Sequence, residues 1–327
     1  MTKRRLLTRV FVGLLLVFAV LAAILAAVLY TPDLPRETLV AKYGSPASQF
    51  VAVPDGATVH LRDQGPREAP VLVLLHGSNA SLHTWEPLVA ALPDRRIISL
   101  DLPGHGLTGP VPGAPYSHHA MAEFTLKLLD QMGLERFALA GNSMGGGVAL
   151  ALAAKAPTRV TQLILVDSSG ARLRKGEGRR TDRPLAFRLA GNPVFAVVAQ
   201  KFTPRFLASQ GLEKSFSDQR YVTEAMIDRY HDLARYPCSR KATMQRFAAY
   251  VTDGPPIFDF DRITAPTLVI WGEEDHLIPV ESVAFFEQRL PVTDRLVLPG
   301  VGHLPQEEAV QAVAKAIDRF LATPTAP

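Results

Sequence analysis

One serine stands between glycines at a point where a strand must turn into a helix: Leu139-Ala140-Gly141-Asn142-Ser143-Met144-Gly145-Gly146-Gly147. Upstream, Arg136 to Ala140 reads as a short buried strand. Downstream, Met144 to Ala154 is rich in Ala and Leu, with no breaker after the glycines, and Pro157 closes it. A turn this sharp crowds its own backbone, so only very small neighbours fit, and Gly141 and Gly145 supply them. The side chain at the apex must then point out beyond the strand's end. The same geometry aims the Met144 N–H, at the helix N-terminus, toward any negative charge that forms beside the serine oxygen. A bare G-x-S-x-G also arises by chance as a glycine-rich helix start, so its meaning depends on its companions.

A nucleophilic serine needs a base, and the base needs a group that orients it. Of nine histidines, His303 has a suitable setting. It lies in Pro299-Gly300-Val301-Gly302-His303-Leu304-Pro305, between the apolar run Arg295 to Leu298 and the helical stretch Glu307 to Leu321. Loops at the carboxyl ends of strands are where functional groups gather in open α/β sheets. Asp275 has a matching setting: it follows the strand-like run Thr267 to Trp271, within Gly272-Glu273-Glu274-Asp275-His276. Asp167, in Val166-Asp167-Ser168-Ser169-Gly170, also ends a strand-like run, Gln162 to Val166, and is a rival acid.

With these residues in view, the chain from about Gln49 to Ala322 resembles an α/β-hydrolase with a cap domain. The motifs that carry the resemblance are His76-Gly77-Ser78, Asp101-Leu102-Pro103-Gly104-His105-Gly106, Gly141-Asn142-Ser143-Met144-Gly145-Gly146, Gly272-Glu273-Glu274-Asp275 and Gly302-His303. Each is short, but five in this order form a specific signal. The order Ser143, Asp275, His303 is that of the α/β-hydrolase fold and differs from the chymotrypsin and subtilisin orders. The resemblance implies Ser143 as nucleophile, His303 as general base and then acid, and Asp275 as the carboxylate holding His303. It further implies an oxyanion hole from the backbone N–H groups of Met144 and Ser78. It also favours Asp275 over Asp167, since the family places its acid one strand later.

Other polar residues read as supports. Asp101 ends the run Arg96 to Leu100 and is expected to shape the Pro103-Gly104 loop through local hydrogen bonds. His76 and His105 are expected to fix loops near the site. His60, His83, His118, His119 and His231 read as surface or packing residues. His276, adjacent to the acid, points elsewhere, and Glu273 and Glu274 read as solvated loop charges.

The N-terminus carries a second message. Lys3, Arg4, Arg5 and Arg9 precede Val10 to Tyr30, a run without charge dominated by Leu, Val, Ala and Phe. As a helix such a run is about 30 Å long, enough to cross a hydrocarbon core. A cleaved signal peptide has a shorter apolar region followed by small residues at A-x-A spacing. No A-x-A triplet occurs here, which favours an uncleaved single-pass anchor. The basic flank is expected to stay in the cytoplasm, which puts the catalytic domain on the extracytoplasmic side, periplasmic or on the outer face if the source is bacterial.

The 327 residues suffice for one large α/β domain with an insertion. The single cysteine, Cys238, forms no internal disulfide and reads as a small packing residue. A net charge of +4, drawn partly from the N-terminal flank, gives no support for nucleic-acid binding. No Cys/His metal cluster, phosphate-binding loop or dinucleotide fingerprint is present, so no cofactor and no metal are expected. Apolar runs of strand length at Val71–Leu75, Arg96–Leu100, Arg136–Ala140, Gln162–Val166, Thr267–Trp271 and Arg295–Leu298 alternate with helical stretches at Leu82–Leu92, Ala120–Met132, Met144–Lys155 and Glu281–Arg289. This alternation predicts a mostly parallel central sheet with helices on both faces. Gln49 to Val53 and Thr58 to Asp63 read as an antiparallel pair. Between about Gly170 and Asp259 the alternation gives way to helices with scattered aromatics, read as a helical cap that shapes the substrate pocket. The expected layout is flank and anchor 1–30, linker 31–48, catalytic domain 49–169 and 260–327, and cap 170–259. The basic stretch Arg172, Arg174, Lys175, Arg179, Arg180, Arg183 reads as a solvated loop, with contact to anionic lipid heads as the alternative.

The sequence reading is therefore a membrane-anchored serine hydrolase acting on small-molecule carboxylic esters, with small or medium acyl groups preferred. Two alternatives stand beside it. G-N-S-M-G-G resembles the hydrolases that cleave C–C bonds of vinylogous diketones, although Leu304 follows His303 where that branch often has an aromatic. A hydrolase-derived binding protein without turnover is the other. Epoxide hydrolases and haloalkane dehalogenases use an aspartate where this chain has Ser143, and proline iminopeptidases usually carry a tryptophan after the serine.

Overall fold

The computed structural model describes residues 3–54, 56–173 and 192–323. Its helices are α1 (Lys3–Leu29), α2 (Arg36–Tyr43), α3 (Glu86–Ala90), α4 (His118–Gln131), α5 (Met144–Lys155), α6 (Pro193–Ala199), α7 (Phe206–Ser215), α8 (Glu224–Ala234), α9 (Ser239–Asp253), α10 (Ser282–Glu287), α11 (Pro305–Glu308) and α12 (Val310–Ala322). The strands are β1 (Ser48–Ala52), β2 (Thr58–Gln64), β3 (Val71–Leu75), β4 (Arg96–Leu100), β5 (Phe137–Asn142), β6 (Val160–Val166), β7 (Thr267–Gly272) and β8 (Val292–Leu298). They form one eight-stranded sheet in the order β1-β2-β4-β3-β5-β6-β7-β8. β2 runs antiparallel to both neighbours, and every pairing from β4 to β8 is parallel.

The central strands read as unbroken apolar runs because both of their faces are covered. In β3, Val71, Val73 and Leu75 enter the core under α4, α5 and α10, while Leu72 and Leu74 enter the core under α3 and α12. The same alternation places Leu163 and Leu165 of β6 on the first face and Ile164 and Val166 on the second. From β3 the chain moves outward to β4 and then returns to the other side of β3 as β5. The loops after β3 and β5 thus separate at the topological switch point, where open α/β sheets bind ligands.

Several element bounds differ from the sequence reading for physical reasons. β8 begins at Val292, not Arg295, because this edge strand half-buries Val292, Asp294, Leu296 and Leu298 and exposes Thr293, Arg295 and Val297, so polar residues interrupt its apolar run. The expected helix Leu82–Leu92 is a 3-10 turn, Leu82–Trp85, followed by α3, with Pro87 near the helix start. The helical stretch Glu307–Leu321 is split at Ala309, whose φ is −131° and ψ 44°. His60 is fully buried and not a surface residue.

The segment read as a linker contains α2 and is fastened to the helices between β6 and β7. Thr31 N–H donates to Lys201 O at 2.8 Å and Leu34 N–H to Arg235 O at 2.8 Å. Arg240 of α9 donates to Thr31 O at 2.6 Å and pairs with Asp33, while Arg235 donates to Pro32 O at 2.9 Å. Tyr30 meets the edge of Phe202, and Leu39 is buried with Leu107 and Leu233. Lys42 and Tyr43 both reach Asp232 Oδ2, at 2.7 and 2.9 Å. The chain leaving α1 is a strap tied to the helices between β6 and β7.

Two glycines define how closely the layers approach. A Cβ on Gly145 would lie 2.2 Å from Leu75 O, and one on Gly141 would lie 2.2 Å from Gly145 O. Gly211, inside α7, has open space around its Cβ position. Gly145→Ala is therefore expected to lose about 3 kcal/mol or more of stability, whereas Gly211→Ala gains about 0.5–1 kcal/mol. Urea unfolding of the detergent-solubilised full chain measures both.

Glu307 is buried, and its Oε1 accepts the Thr84 hydroxyl at 2.5 Å. Burial pushes its carboxyl up to about 7. The folded chain thus binds this proton more tightly than the unfolded chain does. The resulting stability is complete below the ordinary carboxylate range and is lost as pH rises through about 7. Between pH 5.5 and 8.5 the wild type is expected to lose about 2 kcal/mol more unfolding free energy than Glu307→Gln, measured by urea titration at each pH.

Candidate active site

Ser143 lies between β5 and α5 with φ 54° and ψ −119°, a left-handed backbone that a serine adopts only under constraint. Four hydrogen bonds impose it. Ser143 N–H donates to Val166 O at 3.0 Å, and Ser143 O accepts from Gly146 at 3.0 Å, Gly147 at 3.2 Å and Ser169 at 3.0 Å. The neighbouring Asn142 side chain donates to Val166 O at 3.2 Å and to His303 O at 3.1 Å, which ties the end of β5 to the His303 loop.

His303 and Asp275 are both buried, and His303 Nδ1 donates to Asp275 Oδ2 at 2.7 Å. Asp275 Oδ1 accepts the N–H groups of Leu277 at 2.7 Å and Ile278 at 3.0 Å, so the carboxylate cannot swing away. With Nδ1–H committed, the neutral imidazole presents its Nε2 lone pair on the opposite side. No hydrogen bond joins Ser143 to His303. Such contacts are commonly long in the free protein and tighten around substrate. The His303 loop is also held by α7: His303 N–H donates to Ser215 O at 2.8 Å. Glu308 accepts the N–H groups of Gly302 at 2.7 Å and Asp218 at 2.7 Å.

Asp167, the rival acid, is fully buried beside Asp275 with φ 42°. Its Oδ1 accepts Gly272 N–H at 3.0 Å, while Oδ2 has no partner among the described residues. Burial and then the adjacent Asp275 charge push its carboxyl well above the usual range. Asp167 thus holds its proton more tightly than an ordinary carboxyl does. Donor atoms of Asp167, Asp275 and His303 lie within 4.8 Å of one another. The His303 nitrogen on that side is spent on Asp275 at 2.7 Å, so a shared proton suits this grouping better than a cation.

The loop after β3 faces the serine. A Cβ on Gly77 would meet Ser143 Cβ at 3.2 Å. Among the described residues neither the Ser78 N–H nor the Met144 N–H donates to a protein acceptor. His76 fixes the loop's base: its Nδ1 donates to Gly77 O at 2.8 Å and its Nε2 accepts Leu102 N–H at 3.0 Å. Asp101 organises the next loop by accepting from His60 at 2.7 Å, Leu82 N–H at 2.7 Å and Leu107 N–H at 2.8 Å. Burial opposes its charge, but His60 and the other nearby histidines hold its carboxyl below the usual range.

Among the cap aromatics, Phe195 and Phe247 pack with Ala199 and Met244, Tyr221 stacks on Phe216, and Phe202 meets Tyr30. Phe187 lies outside the described residues. Of the basic stretch, Arg172 donates to Pro255 O at 2.8 Å, and Arg174, Lys175, Arg179, Arg180 and Arg183 lie outside the described residues. Three residues at the site escaped the sequence reading. They are Arg246 of α9, which reaches Ser78 and Asn79, Glu308, which ties cap to the His303 loop, and His60, which holds Asp101. No local motif marks any of them.

Comparison with known proteins agrees with this architecture. A profile described as alpha/beta hydrolase fold matches residues 70–310. The chain is 31% identical over 281 residues to the dihydrolipoyllysine-residue acetyltransferase component of the acetoin cleaving system of Pseudomonas putida, covering 84% of this chain and 70% of that protein. It is 29% identical over 293 residues to a 2-hydroxy-6-oxononadienedioate/2-hydroxy-6-oxononatrienedioate hydrolase of Cupriavidus pinatubonensis, covering 84% and 95%. Among solved structures, a bacterial membrane phospholipase A superposes with a TM-score of 0.71 at 25% identity, covering 96% of this chain and 98% of that one.

The two buried carboxyls give opposite expectations. Asp275→Asn should lower kcat about 10³–10⁴-fold, since the amide no longer holds the imidazole in the required tautomer. Asp167→Asn should keep kcat within about 3-fold, because the amide removes a charge that burial already disfavours and keeps an oxygen for the Gly272 N–H. Steady-state kinetics on one ester substrate compares them directly, and the reverse ranking would exchange their roles.

Proposed function

The chain belongs to the α/β-hydrolase fold family, and from that premise we propose that it is a membrane-anchored serine hydrolase of carboxylic esters. In this reading Ser143 Oγ attacks the ester carbonyl carbon as His303 Nε2 takes its proton. The oxyanion lies against the N–H groups of Met144 and Ser78. The leaving alcohol takes the proton from His303, water then attacks the acyl-Ser143 with His303 again as base, and the carboxylic acid departs. Asp275 orients His303 and stabilises the imidazolium. The observation that carries the reading is a serine clamped at φ 54° at the start of α5, beside a buried His303 held at 2.7 Å by Asp275.

Membrane attachment rests on α1, whose segment Leu7–Leu29 is long and apolar enough to span a bilayer and is unburied by the rest of the chain. The basic N-terminal flank favours a cytoplasmic N-terminus. The cap supports attachment too: Val197 and Val198 are exposed within a turn of Lys201, which accepts the strap's Thr31 N–H. The similarity to a membrane phospholipase reaches into α1, since it covers 96% of the chain. Ester cleavage is favoured over C–C cleavage by that similarity and by Leu304, which packs with Leu212, Phe216 and Ile227 of the cap where the C–C hydrolases often carry an aromatic. The second reading keeps support from the dienedioate hydrolase relative.

A fluorophosphonate probe is expected to label the wild type and not Ser143→Ala, and Ser143→Ala should lose about 10⁵-fold or more in kcat. Labelling of neither protein would favour a binding role. On a panel of p-nitrophenyl esters beside a vinylogous diketone acid, turnover is expected on the esters. A preference for the diketone would transfer the assignment to C–C hydrolysis.

A further inference from the structure

Arg246 is buried, and its guanidinium crosses from the cap into the sheet's carboxyl edge. Nη2 donates to Ser78 Oγ at 2.8 Å and to Asn79 Oδ1 at 3.0 Å, and Nη1 donates to His105 Nε2 at 2.7 Å. Among the described residues no carboxylate pairs with it. All three acceptors are neutral, because His105 Nδ1–H is committed to Pro103 O at 3.0 Å and burial with the Arg246 charge keeps His105 unprotonated. Burial pulls the guanidinium itself down to about 10.

A buried cation without a counter-charge is costly, and apolar residues would seat a cap for less. The position explains its retention. Ser78 and Asn79 form the loop that faces Ser143, and Asn79 is held at φ 59°, which a side-chain anchor helps to maintain. Two of the guanidinium's donors from one nitrogen fix two consecutive side chains, so the peptide between Gly77 and Asn79 cannot rotate freely. The negative charge that appears during ester attack would form within this loop's reach, where the buried cation lowers its energy.

Resting on the serine hydrolase reading above, we propose that Arg246 is a positioning residue for the oxyanion loop, which makes cap seating and the readiness of the Ser78 N–H one structural event. Arg246 acts through Ser78 and Asn79 and need not touch substrate. A lysine offers one point charge without the planar fork and is a poor replacement.

The test uses the full chain in detergent with a p-nitrophenyl ester and a trifluoromethyl ketone, whose adduct with Ser143 carries an oxyanion. Arg246→Met is expected to lower kcat about 10²-fold and weaken trifluoromethyl ketone inhibition by a similar factor, with KM nearly unchanged. Asn79→Gly keeps the left-handed backbone and leaves α9 intact. It should lower kcat with the same partition, and the double variant should lose less than the product of the two single losses. Added ethylguanidine should restore part of the activity of Arg246→Ala. If both single variants keep kcat and ketone inhibition within about 2-fold, or if KM rises while kcat holds, the proposal is overturned and the hydrolase reading stands. An unlabelled wild type in the fluorophosphonate assay would instead overturn the reading beneath it.

Discussion

The backbone of Ser143 is held where a serine does not sit unaided, and the surrounding structure is arranged to keep it there. A non-glycine residue in such a region costs about 1–3 kcal/mol. The cost is met by hydrogen bonds from three directions: β6 through Val166, the first turn of α5 through Gly146 and Gly147, and the chain after β6 through Ser169. Those bonds form only if α5 lies close against β3, and that approach requires Gly145 to come within contact of Leu75 O. The switch in strand order at β3 then leaves the loops after β3 and β5 facing one another, with Gly77 against Ser143. One steric condition at the elbow thus sets the position of the candidate nucleophile and of its candidate oxyanion donors together.

Around the elbow, four buried ionisable groups reach acceptable energies by different means. Asp101 stays charged because His60 and two backbone N–H groups converge on it. Asp275 is served by two N–H groups and by His303. Asp167, buried beside Asp275, has its charged form disfavoured and its carboxyl pushed well above the usual range. Arg246 keeps its charge with only neutral acceptors. The first three solutions lower the energy of the resting protein. The last leaves a positive potential uncancelled next to the loop that would carry an oxyanion, which is the arrangement expected where charge is needed only in passing.

The sequence made the sheet legible because β3, β5, β6 and β7 are covered on both faces and therefore write themselves as continuous apolar runs. It was less informative at β8, where an exposed face carries Thr293 and Arg295 and the half-buried face carries Asp294, and at α11, which ends before Ala309 so that α12 starts anew. Ser143, Asp275 and His303 were accessible because each sits in a loop whose glycines mark a tight backbone path. His60, Glu308 and Arg246 were not. They act across sequence separations of 41, 90 and 168 residues, to Asp101, Asp218 and Ser78, and each sits within an ordinary strand or helix. Polar residues that matter through tertiary contact leave no local period to detect. The strap's contacts were hidden for a related reason: its prolines signal irregular backbone, while its partners Asp232, Leu233 and Arg240 lie far along the chain on α8 and α9.

The strap and the loop carrying Ser78 and Asn79 meet through one element. Arg240 and Arg246 lie on α9 about 9 Å apart along the helix axis, and one holds the strap at Thr31 and Asp33 while the other holds the loop at Ser78 and Asn79. A helix of this length behaves as a rigid rod on the scale of a hydrogen bond. A shift of α9 on the sheet therefore disturbs both attachments, together with the bonds of Arg240 to Thr203 and of Arg246 to His105. Here the segment after α1 and the loop beside Ser143 are joined by directional bonds to a single helix, so the path of the N-terminal segment and the geometry of the candidate site are parts of the same constraint.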